Sequence, residues 1–294
     1  MHGNGATAVV SPSPHEFLVS IKGQGIFSYK NNKSKLMIPL HESIYQLKRI
    51  GEYIMGVGEK GRYIKLHLKT GRWRTSSFPT NQRLWNIVGS DNGLVITHAG
   101  TQILVSFDFG QKWNVISLFK ELTVRPVIRS LTLLADDIYI GTQIHKQDGG
   151  LWKYSLSSKR LEPLLYEQER MVSSIHVDHS YLWVATGACH AKKGTVSFRK
   201  HGENNWHSVT SQIEERAFLN ILHADDNMYA CSSKDEYGYS RIYHYDYSEM
   251  NLRPVETIKG HCFSAAVSAG DLFLAGGEEC KWIQENLKEQ QILH

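Results

Sequence analysis

Short apolar runs alternate with polar residues along the whole chain, and turns rich in Gly, Asn, Asp and Ser separate them. A period of two residues is typical of strands that bury one face. Long helical stripes are nearly absent from the sequence. The pattern therefore predicts an all-β protein built from many short strands.

Some of these strands recur at a longer interval. Each recurring strand is compact and apolar and runs into small residues, and their first large apolar residues are Phe17, Tyr53, Leu94, Ile138, Leu182, Met228 and Leu272. The intervals between these positions are 36, 41, 44, 44, 46 and 44 residues. Units of this length match the four-stranded blades of a β-propeller.

The sequence around each repeat fits this interpretation. Another apolar strand precedes most of these positions, and pairs such as Asp-Asp, Asp-Asn and Gly-Asp between the two strands favour tight hairpins. We therefore predict one domain, a seven-bladed β-propeller of four-stranded antiparallel blades, with six or eight blades as the alternatives. The predicted blades cover residues 5–40, 41–80, 81–122, 123–167, 168–212, 213–260 and 261–294. The last 17 residues fit either two short outer strands or a helix with Trp282, Ile283, Leu287 and Ile292 on one face.

One hairpin of the third repeat carries a recognisable motif. Ser106, Asp108, Gly110 and Trp113 have the spacing Ser-x-Asp-x-Gly-x-x-Trp. This motif resembles the Asp box, or BNR repeat, of sialidases, sortilin-type receptors and photosystem assembly factors, and residues 197–206 resemble a decayed copy that lacks the Asp. The resemblance implies a propeller and a structural role, in which Asp108 accepts backbone hydrogen bonds, Gly110 permits the turn and Trp113 packs between sheets. The expected blade count and the scarcity of Asp boxes argue against a sialidase.

Composition narrows the class of partner and compartment. Charged residues make up 21% of the chain and hydrophobic residues 41%, which is ordinary for a globular protein. A net charge of +4 without basic, aromatic-interleaved runs argues against nucleic-acid binding. No apolar run is long enough to span a membrane. The start lacks a signal-peptide pattern, so we expect a cytoplasmic protein, with a mature secreted chain as the alternative. The four cysteines form no C-x-x-C pair, which argues against a zinc finger. We also expect a monomer.

The repeat places several polar residues at one end of the predicted ring. Four successive blade-to-blade connections carry an arginine just before a first strand, namely Arg83, Arg125, Arg170 and Arg216. Guanidinium groups gathered there would attract a carboxylate or phosphate. Three of the four have Glu or Gln beside them, so solvated surface pairs are the alternative interpretation. Tyr237 and Tyr239 lie in a loop at the same end and are candidates for lining a ligand surface.

Longer loops in predicted blades 4 to 7 supply candidate catalytic residues. His145, His190, His261 and Glu278 have side chains suited to acid–base chemistry or metal binding. The chain resembles the seven-bladed streptogramin lyases in length and in a His–Glu pairing from the last blade, which implies a histidine base with magnesium, although the His-to-Glu spacing differs. No short ligand spacing is present, so we predict no cofactor, with a divalent metal as the alternative.

The fold signature is thus complete, whereas no catalytic motif accompanies it. Our main hypothesis is a non-catalytic binding or scaffold propeller that recognises a protein segment or an anionic small ligand at its loop-rich mouth. The alternative is a cytoplasmic lyase or hydrolase, with or without a bound metal, whose site lies in the loops of blades 4 to 7.

Overall fold

Nearly all of the chain is built from β-strands. The computed structural model describes residues 5–31, 33–188, 192–224 and 227–284. Within these ranges it contains strands β1 to β27 and a single turn of 3-10 helix, Glu59–Gly61. The prediction of an all-β protein is confirmed. Leu287 and Ile292, which the sequence placed on a possible terminal helix, lie outside the described residues, whereas Trp282 and Ile283 belong to β27.

The strands are short and follow one another at regular intervals. In the first half of the chain they are β1 (Ala6–Ser13), β2 (Glu16–Ile21), β3 (Gly25–Lys30), β4 (Lys33–Pro39), β5 (Ile44–Ile50), β6 (Tyr53–Gly58), β7 (Arg62–His67), β8 (Trp73–Ser77), β9 (Ile87–Gly89), β10 (Val95–Ala99), β11 (Gln102–Ser106), β12 (Asn114–Ser117), β13 (Ile128–Leu134) and β14 (Asp137–Thr142). In the second half they are β15 (Gly150–Ser155), β16 (Leu161–Tyr166), β17 (Arg170–Val177), β18 (Tyr181–Ala188), β19 (Val196–Lys200), β20 (His207–Ser211), β21 (Phe218–Ala224), β22 (Asn227–Ser232), β23 (Tyr239–Asp246), β24 (Asn251–Lys259), β25 (Cys262–Ser268), β26 (Asp271–Gly276) and β27 (Cys280–Ile283).

Consecutive strands pair antiparallel into small sheets. Four sheets have four strands each, β1–β4, β5–β8, β9–β12 and β13–β16, and β25–β27 form a three-stranded sheet. Strands β17–β24 make one eight-stranded sheet, because β20 and β24 pair in parallel over two residues, Thr210 and Ser211. Tight hairpins join the first two strands of a sheet. Between β25 and β26, for example, Ala269 and Gly270 both have positive φ, of 50° and 82°, as a two-residue hairpin requires.

The sheets pack face to face, and the last one packs on the first. Leu18 of the β1–β4 sheet and Ile54 of the β5–β8 sheet belong to one buried cluster between these neighbours. At the other side of the β1–β4 sheet, Phe17 contacts Phe273 of β26, with ring centroids 5.2 Å apart. The second strand of a sheet is buried on both faces for this reason, and the outer strands β4, β8 and β12 are mostly exposed. The sheets therefore close a ring.

First strands lie next to one another around the axis of this ring, and hydrogen bonds tie each to the next. In every case a side chain in a first strand, or in the residue just before it, bonds the backbone of the neighbouring first strand. Thr7 Oγ1 donates to Ile44 O, Ser130 Oγ to Val172 O and Asn220 Nδ2 to Phe263 O. Gln46 Oε1 accepts from Ile87 N, Asn86 Oδ1 from Leu131 N, Ser174 Oγ from Ile221 N and Ser264 Oγ from Val9 N. These bonds satisfy backbone groups that no ladder reaches, so the polar side chains at the axis hold the ring together.

Candidate ligand-binding mouth

One end of the ring carries a cavity of about 330 Å³, which we call the mouth pocket. Its lining comes from the strands β1, β5 and β25, from the segments that precede β5, β9 and β25, and from the loops that follow β2, β6, β22 and β26. The lining residues are Thr7, Lys22, Ser43, Tyr45, Glu59, Arg83, Trp85, Lys234, Gly260, His261, Phe263, Gly277 and Glu278. Connections between sheets and loops between second and third strands thus meet at the same opening.

A second, smaller cavity of about 60 Å³, which we call the axial cavity, lies between the first strands. It shares Tyr45, Trp85 and Phe263 with the mouth pocket, so these three aromatic residues separate the two spaces. Its remaining lining includes Arg129 and the side chains of Gln46, Asn86, Ser173, Ser174, Leu219, Asn220 and Ser264. The two cavities are therefore neighbours.

A register shift near the start of the first strands explains which residues reach these cavities. In β1, β5, β13, β17, β21 and β25 one residue is left out of the pairing with the second strand. The unpaired residues are Thr7, Tyr45, Arg129, Ser173, Leu219 and Phe263, and each of them lines the mouth pocket or the axial cavity. A β-bulge re-aims a side chain in this way. The bulges therefore select the residues at the axis.

The aromatic residues between the cavities are held in place by polar contacts. Tyr45 stacks on Trp85, with ring centroids 4.6 Å apart and planes at 29°. The Tyr45 hydroxyl donates to Glu59 Oε1 at 2.9 Å, and burial together with this carboxylate raises the pKa of Tyr45 to about 12. The backbone N–H of Trp85 donates to Nε2 of His98 at 3.3 Å. Burial, with a smaller contribution from Arg129, lowers the pKa of His98 to about 3, so this histidine stays neutral and accepts the bond.

The acidic groups of the mouth pocket are already engaged. Glu278 forms ion pairs with Lys234 at 3.5 Å and with Lys259 at 3.7 Å. Glu59, besides the Tyr45 hydroxyl, accepts the backbone N–H of Ser43 at 3.2 Å. Two lysines offset the charge of Glu278, whereas Glu59 is held by neutral donors and keeps its negative charge.

Two cations of the pocket have no such partner. Among the described residues, neither Lys22 nor Arg83 forms a salt bridge, and Arg83 lies 5.9 Å from the centre of the Trp85 ring. His261 accepts the backbone N–H of Lys234 on Nδ1 at 3.1 Å. Burial and the nearby Lys234 charge lower the pKa of His261. The pocket therefore offers unpaired positive charge beside an aromatic wall.

The structure brings together only part of the predicted site. Arg83, His261 and Glu278 line the mouth pocket. Arg170 instead forms an ion pair with Glu167 at 2.8 Å, and its Nε donates to the backbone oxygen of Lys193 at 2.6 Å.

The remaining predicted residues lie away from the pocket lining. Arg125 and Arg216 are exposed, as are Tyr237 and Tyr239, whose exposed fractions are 77% and 46%. His145 accepts the backbone N–H of Asp148 on Nδ1 at 2.9 Å within its own loop. His190 lies outside the described residues, as does Cys189 beside it. The gathering of all four candidate catalytic residues around one cavity, which the lyase or hydrolase hypothesis needs, is not observed among the described ones.

The described residues contain no group of three or more His, Cys, Asp or Glu side chains placed to hold a metal ion. Three of the cysteines, Cys231, Cys262 and Cys280, are buried and form no disulfide. Burial raises the pKa of the Cys280 thiol, and Cys262 likewise has a raised pKa because of its contact with Cys231 and its burial. Cys262 and Cys280 therefore stay protonated, and all three buried side chains pack as small apolar groups.

The Ser-x-Asp-x-Gly-x-x-Trp motif forms a closed turn after β11. Asp108 Oδ1 accepts the Ser106 hydroxyl at 2.7 Å and the backbone N–H groups of residues 111 and 112 at 2.8 and 2.9 Å. These bonds, led by that from residue 112, lower the pKa of Asp108. Gly110 has φ of +75°. Trp113 packs edge-on against Tyr63 and Phe78 of the preceding repeat, with centroid distances of 5.6 and 5.0 Å.

Sequence reasoning missed Arg129, four residues after the predicted Arg125. It is half-buried and lines the axial cavity with its guanidinium 4.4 Å from the centre of the Trp85 ring, and burial lowers its pKa to about 10. The available signal was a charged residue inside an apolar first strand, in the segment 127–134. A charge at such a position is unusual unless it faces a cavity or a partner.

Comparisons with known proteins define the fold. No family model matches the chain. Its structure is similar to the extracellular domain of the putative one component system BT4673 from B. thetaiotaomicron, with a TM-score of 0.74, 13% identity and coverage of 96% of this chain and 38% of that one. It is also similar to U3-55K, with a TM-score of 0.68 and 11% identity over 95% of this chain and 90% of that one. The RRP9 WD40 repeats give a TM-score of 0.68 and 11% identity, over 97% and 92%.

These likenesses show the fold, and the chain is a β-propeller. None of the described residues forms a helix long and apolar enough to cross a membrane. A sequence relative covers nearly the whole chain. YkuO, recorded as an uncharacterized protein of Bacillus subtilis (strain 168), is 36% identical over 288 residues, which are 97% of this chain and 97% of the relative. The chain belongs to the same protein family as YkuO.

Proposed function

We propose that the chain is a single seven-bladed propeller with the blade limits predicted from the sequence. Six of the blades would have four strands, since the eight-stranded sheet divides between β20 and β24, where only a two-residue parallel pairing connects its halves. The seventh blade would contain β25–β27. Each buried cluster then lies between two successive blades, and the first strand of every blade lies at the axis.

We propose further that this propeller is a monomeric binding module whose mouth pocket takes an anionic small ligand. The observation that carries the proposal is that Lys22 and Arg83 lack carboxylate partners among the described residues while the acids of the pocket, Glu59 and Glu278, are engaged. Unpaired guanidinium and ammonium groups in a recess attract carboxylates and phosphates. Tyr45 and Trp85 provide an aromatic wall against which the apolar body of a ligand would pack.

The size of the pocket favours a small molecule over a protein segment. A volume of about 330 Å³ lies at the lower end of the range for small-molecule sites, whereas a bound peptide would need an extended groove. A protein that inserts one acidic side chain into the pocket is the competing occupant, and a screen with small anions separates the two.

The test is a binding screen followed by a matched pair of variants. Purified protein is screened by thermal shift against aromatic carboxylates and phosphate monoesters, and the affinity of each hit is measured by isothermal titration calorimetry. We expect Arg83→Gln to weaken a hit by about tenfold or more, since it removes one charged partner, and Arg125→Gln to leave the affinity within about twofold. Arg125 is the control because it is exposed and lies outside the pocket lining.

Two results would contradict the proposal. One is that no member of either ligand class stabilises the protein, which would favour a protein partner or no mouth ligand at all. The other is equal weakening by Arg83→Gln and Arg125→Gln, because the binding would then follow total charge and not the pocket.

A further inference from the structure

The axial cavity differs from the mouth pocket in having no acidic residue in its lining. Its one charged group is Arg129, whose guanidinium has five hydrogen-bond donors and no acceptor. Among the described residues Arg129 forms neither a salt bridge nor a side-chain hydrogen bond, and its stacking on Trp85 at 4.4 Å is its main polar contact. A cation inside a protein is costly when it is unpaired, and a cation–π contact offsets only part of that cost.

The neutral polar residues around Arg129 also present donors. Gln46, Asn86, Ser174 and Ser264 each accept a backbone N–H of the neighbouring first strand on their side-chain oxygen. These bonds show which atom of each side-chain amide is the oxygen. The NH₂ groups of Gln46 and Asn86 are therefore free to donate, and so are the hydroxyl protons of the two serines. The structure shows no acceptor for these donors among the described residues. The bonds that hold the ring together therefore leave the cavity rich in donors.

The charge of Arg129 persists over the physiological range, since its pKa is lowered by burial only to about 10. Burial and, to a smaller extent, Arg129 lower the pKa of His98, so this histidine is neutral and adds no charge beside Arg129. The cavity volume of about 60 Å³ has room for a few water molecules or one small oxyanion, and not for a larger organic molecule.

We propose that the axial cavity is a binding site for one oxyanion group, a carboxylate or a phosphate, with Arg129 as its charged anchor and the donors of Gln46, Asn86, Ser174 and Ser264 around it. The inference rests on the proposed function, since the acidic group of a mouth ligand would enter this cavity past Tyr45, Trp85 and Phe263. Free inorganic phosphate and free acetate test the same chemistry without needing the mouth pocket.

The experiment titrates phosphate and acetate into wild-type protein and into Arg129→Gln, Arg129→Lys and Arg125→Gln. We expect saturable binding of at least one of the two anions to the wild type. Arg129→Gln should lose about tenfold or more in affinity, which corresponds to about 1.4 kcal/mol. The affinity of Arg129→Lys should lie between those of the wild type and Arg129→Gln, because lysine keeps the charge but lacks the planar guanidinium. Arg125→Gln, four residues away and exposed, should bind like the wild type within about twofold.

Stability supplies a second readout that separates an anion site from a structural residue. Without added anion, Arg129→Gln should be at least as stable as the wild type in thermal unfolding, since the variant removes an unpaired cation from the interior. Adding the anion that binds should raise the Tm of the wild type and leave that of Arg129→Gln unchanged. A large loss of Tm in anion-free buffer would show that Arg129 is structural and would overturn the proposal.

A crystal soaked in selenate provides a test that needs no variant. The anomalous selenium peak should lie within hydrogen-bonding reach of the Arg129 guanidinium, and selenate bound only at other places would refute the site. Failure of the two proposals remains distinguishable. Organic anions whose binding depends on Arg83 but not on Arg129 would sustain the mouth and refute the axial site. Phosphate or acetate binding that depends on Arg129, with no ligand found for the mouth pocket, would sustain the axial site and refute the mouth ligand.

Discussion

Replacement of Gly110 by alanine should destabilise the propeller through two separate effects. The first is backbone strain, because φ is +75° and an alanine in the left-handed region costs roughly 1–2 kcal/mol. The second is overlap, because a Cβ atom at this position would collide with the hydroxyl oxygen of Tyr63 and approach Trp113 Cζ2 to 3.1 Å. Tyr63 is buried, with 2% of its surface exposed, and forced shifts in a packed core cost about 1–3 kcal/mol.

The structure supplies a matched control for the strain alone. Gly71 occupies the hairpin between the third and fourth strands of the preceding repeat, has φ of +66°, and has nothing within 4 Å of an added Cβ. Gly71→Ala should therefore cost about 1–2 kcal/mol, and Gly110→Ala about 2–5 kcal/mol. Urea unfolding followed by tryptophan fluorescence measures both free energies of unfolding from their midpoints.

A double-mutant cycle isolates the overlap. Tyr63→Phe removes the hydroxyl that the new Cβ would meet, at the cost of its hydrogen bond to Met55 Sδ at 3.6 Å. In that background the penalty of Gly110→Ala should fall by about 1 kcal/mol or more. Equal penalties for Gly110→Ala and Gly71→Ala, or additivity with Tyr63→Phe, would refute the argument that Gly110 is required for close packing between repeats.

Two further predictions concern charged and titrating groups. Glu215 is 3% exposed and pairs with Arg241 at 3.1 Å, so Glu215→Ala should lower the free energy of unfolding in urea by about 3–5 kcal/mol. Glu249 is exposed, and Glu249→Ala should lower it by less than about 1 kcal/mol. Similar values for the two variants would contradict the role assigned to burial. Burial, the neighbouring His223 and Lys48 lower the pKa of His176 to about 4, from an ordinary value of 6.5. Between these two pH values the unfolded chain binds more protons than the folded one. The contribution of His176 to stability should therefore be complete above about pH 6.5 and be lost towards pH 4. His176→Gln should flatten that pH profile by up to roughly 3 kcal/mol, and an unchanged profile would contradict the lowered pKa.

Local features were readable from the sequence because they depend on neighbours in the chain. Alternation of apolar and polar residues predicted the strands, and the Asp, Asn and Gly pairs predicted the hairpins between first and second strands. The turn from Ser106 to Trp113 is of the same kind. Its hydrogen bonds join atoms within four residues of one another, so the motif carries its own geometry.

The composition of the site depended on tertiary structure. Arg125 and Arg129 belong to one segment, yet the first is exposed and the second lies inside the ring. Arg125 lies in the connection before β13, whereas Arg129 belongs to β13 and is left unpaired with the second strand by a register shift between Ile128 and Ser130. Strand alternation alone does not reveal such a shift, because one extra residue changes which side chains share a face.

Partner choice is the other feature that only the folded chain decided. The sequence placed Arg83, Arg170 and Arg216 in equivalent connections, and the structure leaves Arg83 in the mouth pocket while Arg170 pairs with Glu167. The sequence by itself determined an all-β repeat whose polar connections gather at one end, since period and turn chemistry are local. Which of those charges are cancelled, and which line a cavity, follows from distances between blades, and closure of the ring sets those distances.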